Sequence, residues 1–241
     1  MHLLIDNSNT LTKFALDLGG ELSDWRGVIA TSDLSKTSIQ NTLHGQTFER
    51  ITLCSVVPDS TILIKTIFDQ PIHHISHQSK MPITIDYPNP SKIGADRLAN
   101  ASAAILDRQG PAIVIDFGTA VTFDVISKIG SYLGGVIAPG TASLRDYLHQ
   151  KTALLPAIQL EEPKSIIGRS TEEAMQVGAV IGYRGLIREI LSEVRRELGG
   201  TPKILATGGD AELISKGISD IDIIDQDLTM KGIQVIGQAN N

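Results

Sequence analysis

The chain has 241 residues, 41% of them apolar and 20% charged, enough to bury a core as one large or two small domains. A net charge of −6 without a dense run of Lys and Arg argues against a nucleic-acid partner and for a small molecule. No apolar run is long enough for a bilayer, Asp6 interrupts any signal-peptide core, and the single Cys54 lies in an apolar run, so a cytoplasmic chain with a buried structural thiol and no disulfide is expected.

In chain order, residues 2–6 and 10–18 read as two strands joined by a tight turn, and 25–31 as a third. A helix over roughly 33–44, a buried strand at 51–57, a helix opened by Pro58 and a strand at 71–76 complete a βββαβαβ lobe. His73, His74 and His77 cluster there, but their segment alternates like a strand and no Cys or further His stands nearby, so they read as surface histidines and not as a metal site. Tyr87-Pro88-Asn89-Pro90 makes a stiff loop leading to Gly94-Ala95-Asp96-Arg97 and a small-residue helix to Gln109. Asp96 in that first turn fits plain macrodipole complementarity, and Arg97 fits a solvated charge; the pair equally fits a base and an anion clamp.

The pattern then repeats. Strands at 112–116, 121–127 and 132–140 form a second meander, followed by a helix over 141–151 and an extended segment over 154–162. Ser170 to Glu173 has capping-box spacing and opens a long helix to about Leu198, where Gly178 and Gly185 share a stripe suited to close helix contact. A strand over 203–206 ends in Thr207-Gly208-Gly209-Asp210; a helix, a strand at 221–224 and a final helix from Asp227 follow. The expected fold is α/β in two similar lobes, 1–110 and 111–241, each with a central mixed sheet.

Both lobes open with an apolar strand that carries an aspartate to a tight turn, Asp6-Asn7-Ser8-Asn9-Thr10 and Asp116-Phe117-Gly118-Thr119-Ala120, with the two aspartates 110 positions apart. Ordinary hairpins use the same residues in their turns. The repetition favours phosphate handling: backbone N–H groups and a hydroxyl face an anion while the carboxylate holds a metal ion or water. Gly208-Gly209, at the end of a strand, lies where nucleotides bind in open α/β sheets, although turns use Gly-Gly widely. P-loop, Rossmann, protein-kinase and hydrolase motifs are all missing.

The duplicated Asp hairpin with a distal Gly-Gly resembles the actin, sugar-kinase and acetate-kinase superfamily, which implies an actin-like, ribonuclease H-like duplicated fold. Four stretches in order resemble type III pantothenate kinase across nearly the whole chain: Asp6-x-Ser8-Asn9-Thr10-x-x-Lys13; Gly94-x-Asp96-Arg97; Asp116-x-Gly118-Thr119-Ala120 with Leu133-Gly134-Gly135-x-Ile137-x-Pro139-Gly140; and Thr207-Gly208-Gly209. The resemblance implies ATP-dependent phosphorylation of pantothenate to 4'-phosphopantothenate, the first step toward coenzyme A. In that reading Asp96 would be the general base, and Asp6, Asn7, Ser8, Asn9, Thr10, Leu11, Thr12 and Lys13 would cradle ATP, with Asp6 near Mg2+. Thr119, Gly208 and Gly209 would also meet ATP, and Asp116 would bind a monovalent cation, K+ or NH4+. Tyr87, Gly94, Ala95, Asp96, Arg97 and Thr171 would line the pantothenate pocket of a homodimer. Ser8 stands where the family pattern has glycine, and a Cβ there narrows the phosphate's approach or excludes a positive φ. The alternatives are a sister kinase for another small hydroxyl or carboxylate substrate and a non-catalytic nucleotide-binding regulator; the latter predicts a missing base or clamp, whereas Asp96, Asp116 and Thr119 are all present.

Overall fold

The computed structural model describes residues 1–106 and 110–240, with the side chain of Leu144 excepted. The chain divides into two units, Met1–Gln109 with Gly130–Leu133 and Asp227–Asn241, and Gly110–Ile129 with Gly134–Gln226.

In the first unit β1 (His2–Asn7), β2 (Leu11–Asp17), β3 (Leu22–Ala30), α1 (Lys36–Thr42), β4 (Arg50–Ser55), α2 (Pro58–Ile67) and β5 (Ile72–His74) follow the expected βββαβαβ order. The sheet runs β3-β2-β1-β4-β5, antiparallel across the first three strands and parallel from β1 to β5. Strand periodicity sorts its faces. Leu3 and Ile5 turn with Phe14, Ile51 and Leu53 toward Ile39 of α1 and Ile64 of α2. Leu4, Ala15 and Cys54 turn the other way, toward Ala95 and Ala99 of α3 (Ala95–Ala104) and Met230, Ile233 and Ile236 of α8 (Leu228–Ala239). Asp6, two residues after Leu4, belongs to that second face.

Local chemistry sets the ends of these elements. Ser35 and Ser38 form a reciprocal cap, so α1 begins at Lys36 after a 3-10 turn over Thr31–Asp33 and not at residue 33. Pro58 opens α2. His73 and His74 on β5 are half-buried rather than on the surface; His73 Nε2 lies 2.9 Å from Ser79 Oγ, and burial lowers the pKa of both rings. The last residues expected in the small-residue helix, 107–109, lie outside the described residues.

The largest difference from expectation is the address of α8. The final helix packs in the first unit because its apolar stripe completes the Leu4–Ala99 cluster and its polar residues find partners there. Gln234 and Gln238 donate to the Asp17 carboxylate at 2.8 and 3.0 Å, and Arg26 pairs with Asp227 at 3.0 Å. Gly232 passes so close to α3 that a Cβ would meet the Ala99 carbonyl.

His2 belongs to the same buried layer. Its Nε2 lies 2.7 Å from Thr52 Oγ1, and burial, followed by the Arg50 charge, pushes its pKa from 6.5 down to about 4. The fold therefore favours the neutral ring. Its contribution is complete above pH 6.5 and is lost as the pH falls toward 4. Thermal melts are expected to drop across that window, and His2→Gln to flatten the drop; an equally steep profile in the variant would remove His2 as its cause.

The second unit repeats the order with β7 (Ala112–Phe117), β8 (Ala120–Ile126), β9 (Ser131–Pro139), α4 (Thr141–Lys151), α5 (Thr171–Val177), α6 (Tyr183–Leu198), β10 (Lys203–Thr207), α7 (Ala211–Ser215) and β11 (Ile223–Ile224). Its strand order, β11-β10-β7-β8-β9, is that of the first sheet repeated element for element. Ile113, Ile115, Phe117, Val121 and Phe123 pack with Val180, Tyr183, Ile187 and Leu191, which leaves Asp116 on the opposite face from Phe117.

Two further details depart from the expected elements. The long helix is interrupted by a π-type segment, Gly178–Gly182, between α5 and α6. A Cβ on Gly178, Gly182 or Gly185 would meet nothing within 4 Å, so close helix contact inside the chain does not explain these glycines. A short strand, β6 (Thr84–Ile85), pairs in parallel with Ser131 and Tyr132 at the start of β9, and that pairing brings Gly130–Leu133 into the first unit.

Candidate active site

The functional residues read from the sequence fall into two groups, one in each unit. In the first, the β1–β2 register sets Asp6 opposite Lys13, and the Ser8 N–H donates to Leu11 O at 3.1 Å to close the turn. Asp6 is buried; Asn9, Thr10 and Leu11 are exposed at the tip. Asn7 and Thr12 are buried under the turn. Asn7 Nδ2 donates to Thr12 Oγ1 and Ser55 Oγ donates to Asn7 Oδ1, both at 2.7 Å, while Thr31 Oγ1 donates to Ser8 O at 2.8 Å. Their side chains shape the turn from below and leave its backbone and tip to meet a ligand. Among the described residues no non-glycine residue has a positive φ, so Ser8 occupies ordinary backbone, and its Oγ donates to Asp6 Oδ1 at 3.0 Å.

Gly94 caps α3, which places Asp96 in the first turn, where its Oδ1 accepts the Arg97 N–H at 2.8 Å. A Cβ on Gly94 would collide with that carboxylate oxygen, so the folded-back position of Asp96 depends on glycine there. Burial raises the Asp96 pKa above 3.8, against the opposing effects of the Arg97 N–H and the Arg97 charge. A desolvated carboxylate beside a fixed cation suits proton acceptance from a hydroxyl. The Arg97 guanidinium lies over the Tyr132 ring, 5.8 Å from its centroid, and Tyr87 meets the same ring edge-on at 6.2 Å.

In the second unit three turns converge. Asp116 stands opposite Thr122 and Thr207, and the β7–β8 turn closes with the Gly118 N–H donating to Ala120 O at 3.2 Å. Gly208, with φ of 95°, passes against that turn: its Cβ would lie 2.6 Å from Phe117 O and 2.7 Å from Asp116 Oδ1. Gly140, before α4, is equally tight against the Gly118 and Thr119 carbonyls, and its N–H donates to Thr119 O at 3.1 Å. The Thr141 hydroxyl donates to the Asp210 carboxylate, tying the third turn to the start of α4. Gly208 and Gly209 thus belong with Asp116 and the exposed Thr119. Thr171 lies apart from them, on an apolar cavity of about 640 Å³ formed with Tyr147, Leu148, Leu155, Ile158 and Met175.

Among the described residues no three His, Cys, Asp or Glu side chains gather into a metal site, and no helix is long and apolar enough to cross a membrane. Asp116 Oδ1 and Phe117 O lie side by side against the Gly208 backbone, and Asp6 adds one buried carboxylate at the first turn; these are oxygen donors of the kind that hard cations take.

The model of the family described as Type III pantothenate kinase matches residues 2–193. A type III pantothenate kinase of Akkermansia muciniphila is 49% identical over 239 residues, covering 99% of both chains. The chain belongs to the type III pantothenate kinase family. A second member, from Methylacidiphilum infernorum, is 42% identical and covers 98% of this chain and 88% of its own. Among solved structures, a Campylobacter jejuni chain described as a conserved Baf family transcriptional activator has a TM-score of 0.64 at 21% identity, covering 99% and 98% of the two chains. MreB 5 of Spiroplasma citri bound to AMPPNP has a TM-score of 0.52 at 12% identity, covering 98% and 96%. These two likenesses speak for the actin-like fold alone. Membership of a kinase family makes the chain a phosphotransferase.

Tyr132, Thr141 and Asp210 belong to none of the motifs. Each looks ordinary in sequence, an aromatic in a strand, a helix opener and a turn acid, and only the fold supplies their partners.

Proposed function

We propose that the chain phosphorylates the primary hydroxyl of pantothenate from ATP, with Asp96 as general base. The observation that carries the assignment is the Asp96 carboxylate itself, folded back on its own helix start, desolvated, and fixed beside Arg97. Phosphoryl transfer needs alignment and charge stabilisation more than a free alkoxide, so the base orients the hydroxyl in line and takes its proton as the bond forms. Arg97 meets the substrate carboxylate, and Tyr87, Gly94 and Ala95 complete the pocket around it.

The β1–β2 turn, with its exposed tip and Lys13, and the Thr119 hydroxyl meet the ATP phosphates, while the Gly208-Gly209 turn meets the adenosine side. Mg2+ held by Asp6 would offset phosphate charge, and K+ or NH4+ at Asp116 would do the same from the second unit. We further propose a cytoplasmic homodimer. The open stripe of Gly178, Gly182 and Gly185 leaves space for a second copy, and sedimentation of the wild-type chain tests it.

The deciding experiment is an assay of ADP release with pantothenate, in potassium and in sodium buffer, with glucose and acetate as control substrates. Pantothenate-dependent turnover that collapses in sodium supports substrate and cation together. Turnover on a control substrate would move the chain to a sister activity, and ATP binding without any turnover would favour a regulator.

Ser8→Gly separates the two effects of the serine. Removing the Cβ is expected to leave the KM for ATP unchanged or lower. A large rise would show that the hydroxyl bond to Asp6 holds that carboxylate in place.

A further inference from the structure

The stretch Leu133-Gly134-Gly135-x-Ile137-x-Pro139-Gly140 stands out in the sequence, yet none of its residues has a task in the phosphoryl transfer. It ends where β9 turns into α4, and that turn is bonded to both turns that the ATP reading gives to the nucleotide in the second unit. The Gly140 N–H donates to the Thr119 carbonyl at 3.1 Å, and the Ser143 hydroxyl donates to the same oxygen at 3.3 Å. Between them Thr141, 2% exposed, donates its hydroxyl to the carboxylate of Asp210 at the start of α7. The turn is itself held in place: the buried Tyr183 hydroxyl donates to Pro139 O at 3.1 Å, and burial, followed by the Asp210 charge, raises its pKa above 10, so it stays a donor.

Close packing of Gly208 on Phe117 and Asp116 sets how near the two nucleotide turns come at their strand ends. Their tips, Thr119 and Gly209-Asp210, are placed by the third turn, because Gly140, Thr141 and Ser143 move together at the head of α4. Gly140 lets that head approach, since a Cβ there would collide with the Gly118 and Thr119 carbonyls.

We propose that Thr141 and Asp210 are positioning residues for ATP: their side-chain bond, with the Gly140 and Ser143 bonds to Thr119, fixes the spacing between the phosphate-side turn and the adenosine-side turn. Two loops that move independently must be ordered by the ligand that spans them, and the bridge orders them before ATP arrives. A ligand that touches one turn gains little from a fixed spacing, whereas one that touches both gains most of it. This inference rests on the reading that Thr119 meets the phosphates and Gly208-Gly209 the adenosine side.

The test measures dissociation constants of ATP, adenosine and inorganic tripolyphosphate on the full chain by isothermal titration with magnesium, beside steady-state rates. Thr141→Val, which keeps the shape and removes the donor, is expected to weaken ATP binding about tenfold and to raise its KM in proportion. Adenosine, tripolyphosphate, kcat and the KM for pantothenate are expected to stay within about twofold. Thr141→Ser, which keeps the hydroxyl, is expected to restore nearly wild-type ATP binding. Asp210→Ala should match Thr141→Val, and the double variant should be no weaker than either, because each change breaks the same bond. If Thr141→Val does not fold, Asp210→Ala carries the comparison, with Asp210→Asn, which keeps an acceptor oxygen, as its conservative counterpart.

Equal losses in Thr141→Ser and Thr141→Val would overturn the proposal, as would additive losses in the double variant or a loss shared by adenosine and tripolyphosphate. Gly209→Val separates this failure from that of the reading beneath it, since its side chain would enter open space at the adenosine-side turn. Should Gly209→Val leave ATP and adenosine binding intact, both fall. Should it weaken both ligands while Thr141→Val binds ATP as the wild type does, the positioning role alone falls.

Discussion

Asp96→Asn is expected to abolish turnover and, at neutral pH, to leave the fold at least as stable as before. Loss of a general base costs about 10²–10⁴ in rate, and asparagine cannot accept the proton. The amide keeps an oxygen for the Arg97 N–H, so the helix start survives. The stability follows from the sign of the shift. Burial raises the Asp96 pKa above 3.8, so folding favours the protonated acid, and the ionised form present at neutral pH is held at a cost. Below pH 3.8 the acid is neutral in both states and the substitution changes little; its advantage grows as the pH rises through the folded-state value and then levels off. Rate measurements beside thermal melts at several pH values check both halves. Full activity would remove the base assignment, and a large fall in melting temperature at neutral pH would remove the account of its burial.

Gly232→Ala is expected to be the most damaging single-methyl change in the first unit. The added Cβ would collide with the Ala99 carbonyl and lie 2.9 Å from the Ala99 Cα, and these are backbone atoms of α3 that cannot rotate away. Relief requires α8 to move off α3, which opens the layer containing Leu4, Cys54, Ile233 and Ile236. Overpacking typically costs about 1–3 kcal/mol, and a backbone-on-backbone collision belongs at or beyond the top of that range. Gly232→Ala should therefore lower the denaturant midpoint sharply. Gly209→Ala, whose Cβ meets nothing within 4 Å and whose backbone is not in the left-handed region, is the control and is expected to change the midpoint little. Similar falls in both would refute the contact argument.

Much of this architecture is written locally. Short apolar runs mark β1 and β7, the paired Asp turns mark the duplication, and Pro58 and Ser170 mark helix starts, because each signal acts within a few residues. What stayed hidden depends on long-range choice. An amphipathic stripe says that α8 has a face to bury but not which sheet receives it; Asp17, 217 positions before Gln234, helps to decide. Thr84 and Ile85 form a strand only because Ser131 and Tyr132 offer an edge. The motifs identify Asp6, Asp96, Arg97, Asp116 and Gly208 as residues worth testing, yet the burial of Asn7 and Thr12 under their turn comes from Thr31 and Ser55, which no motif includes.

The route of the chain also orders its birth. During synthesis at about 5–20 residues per second, the strands of the first unit emerge early, while the helix that closes over Leu4, Ala15 and Ala99 emerges only after the second unit. For most of translation that apolar surface waits uncovered, a binding site for holding chaperones. A chain cut before residue 228 would lack Met230, Ile233 and Ile236 and so leave that apolar layer uncovered.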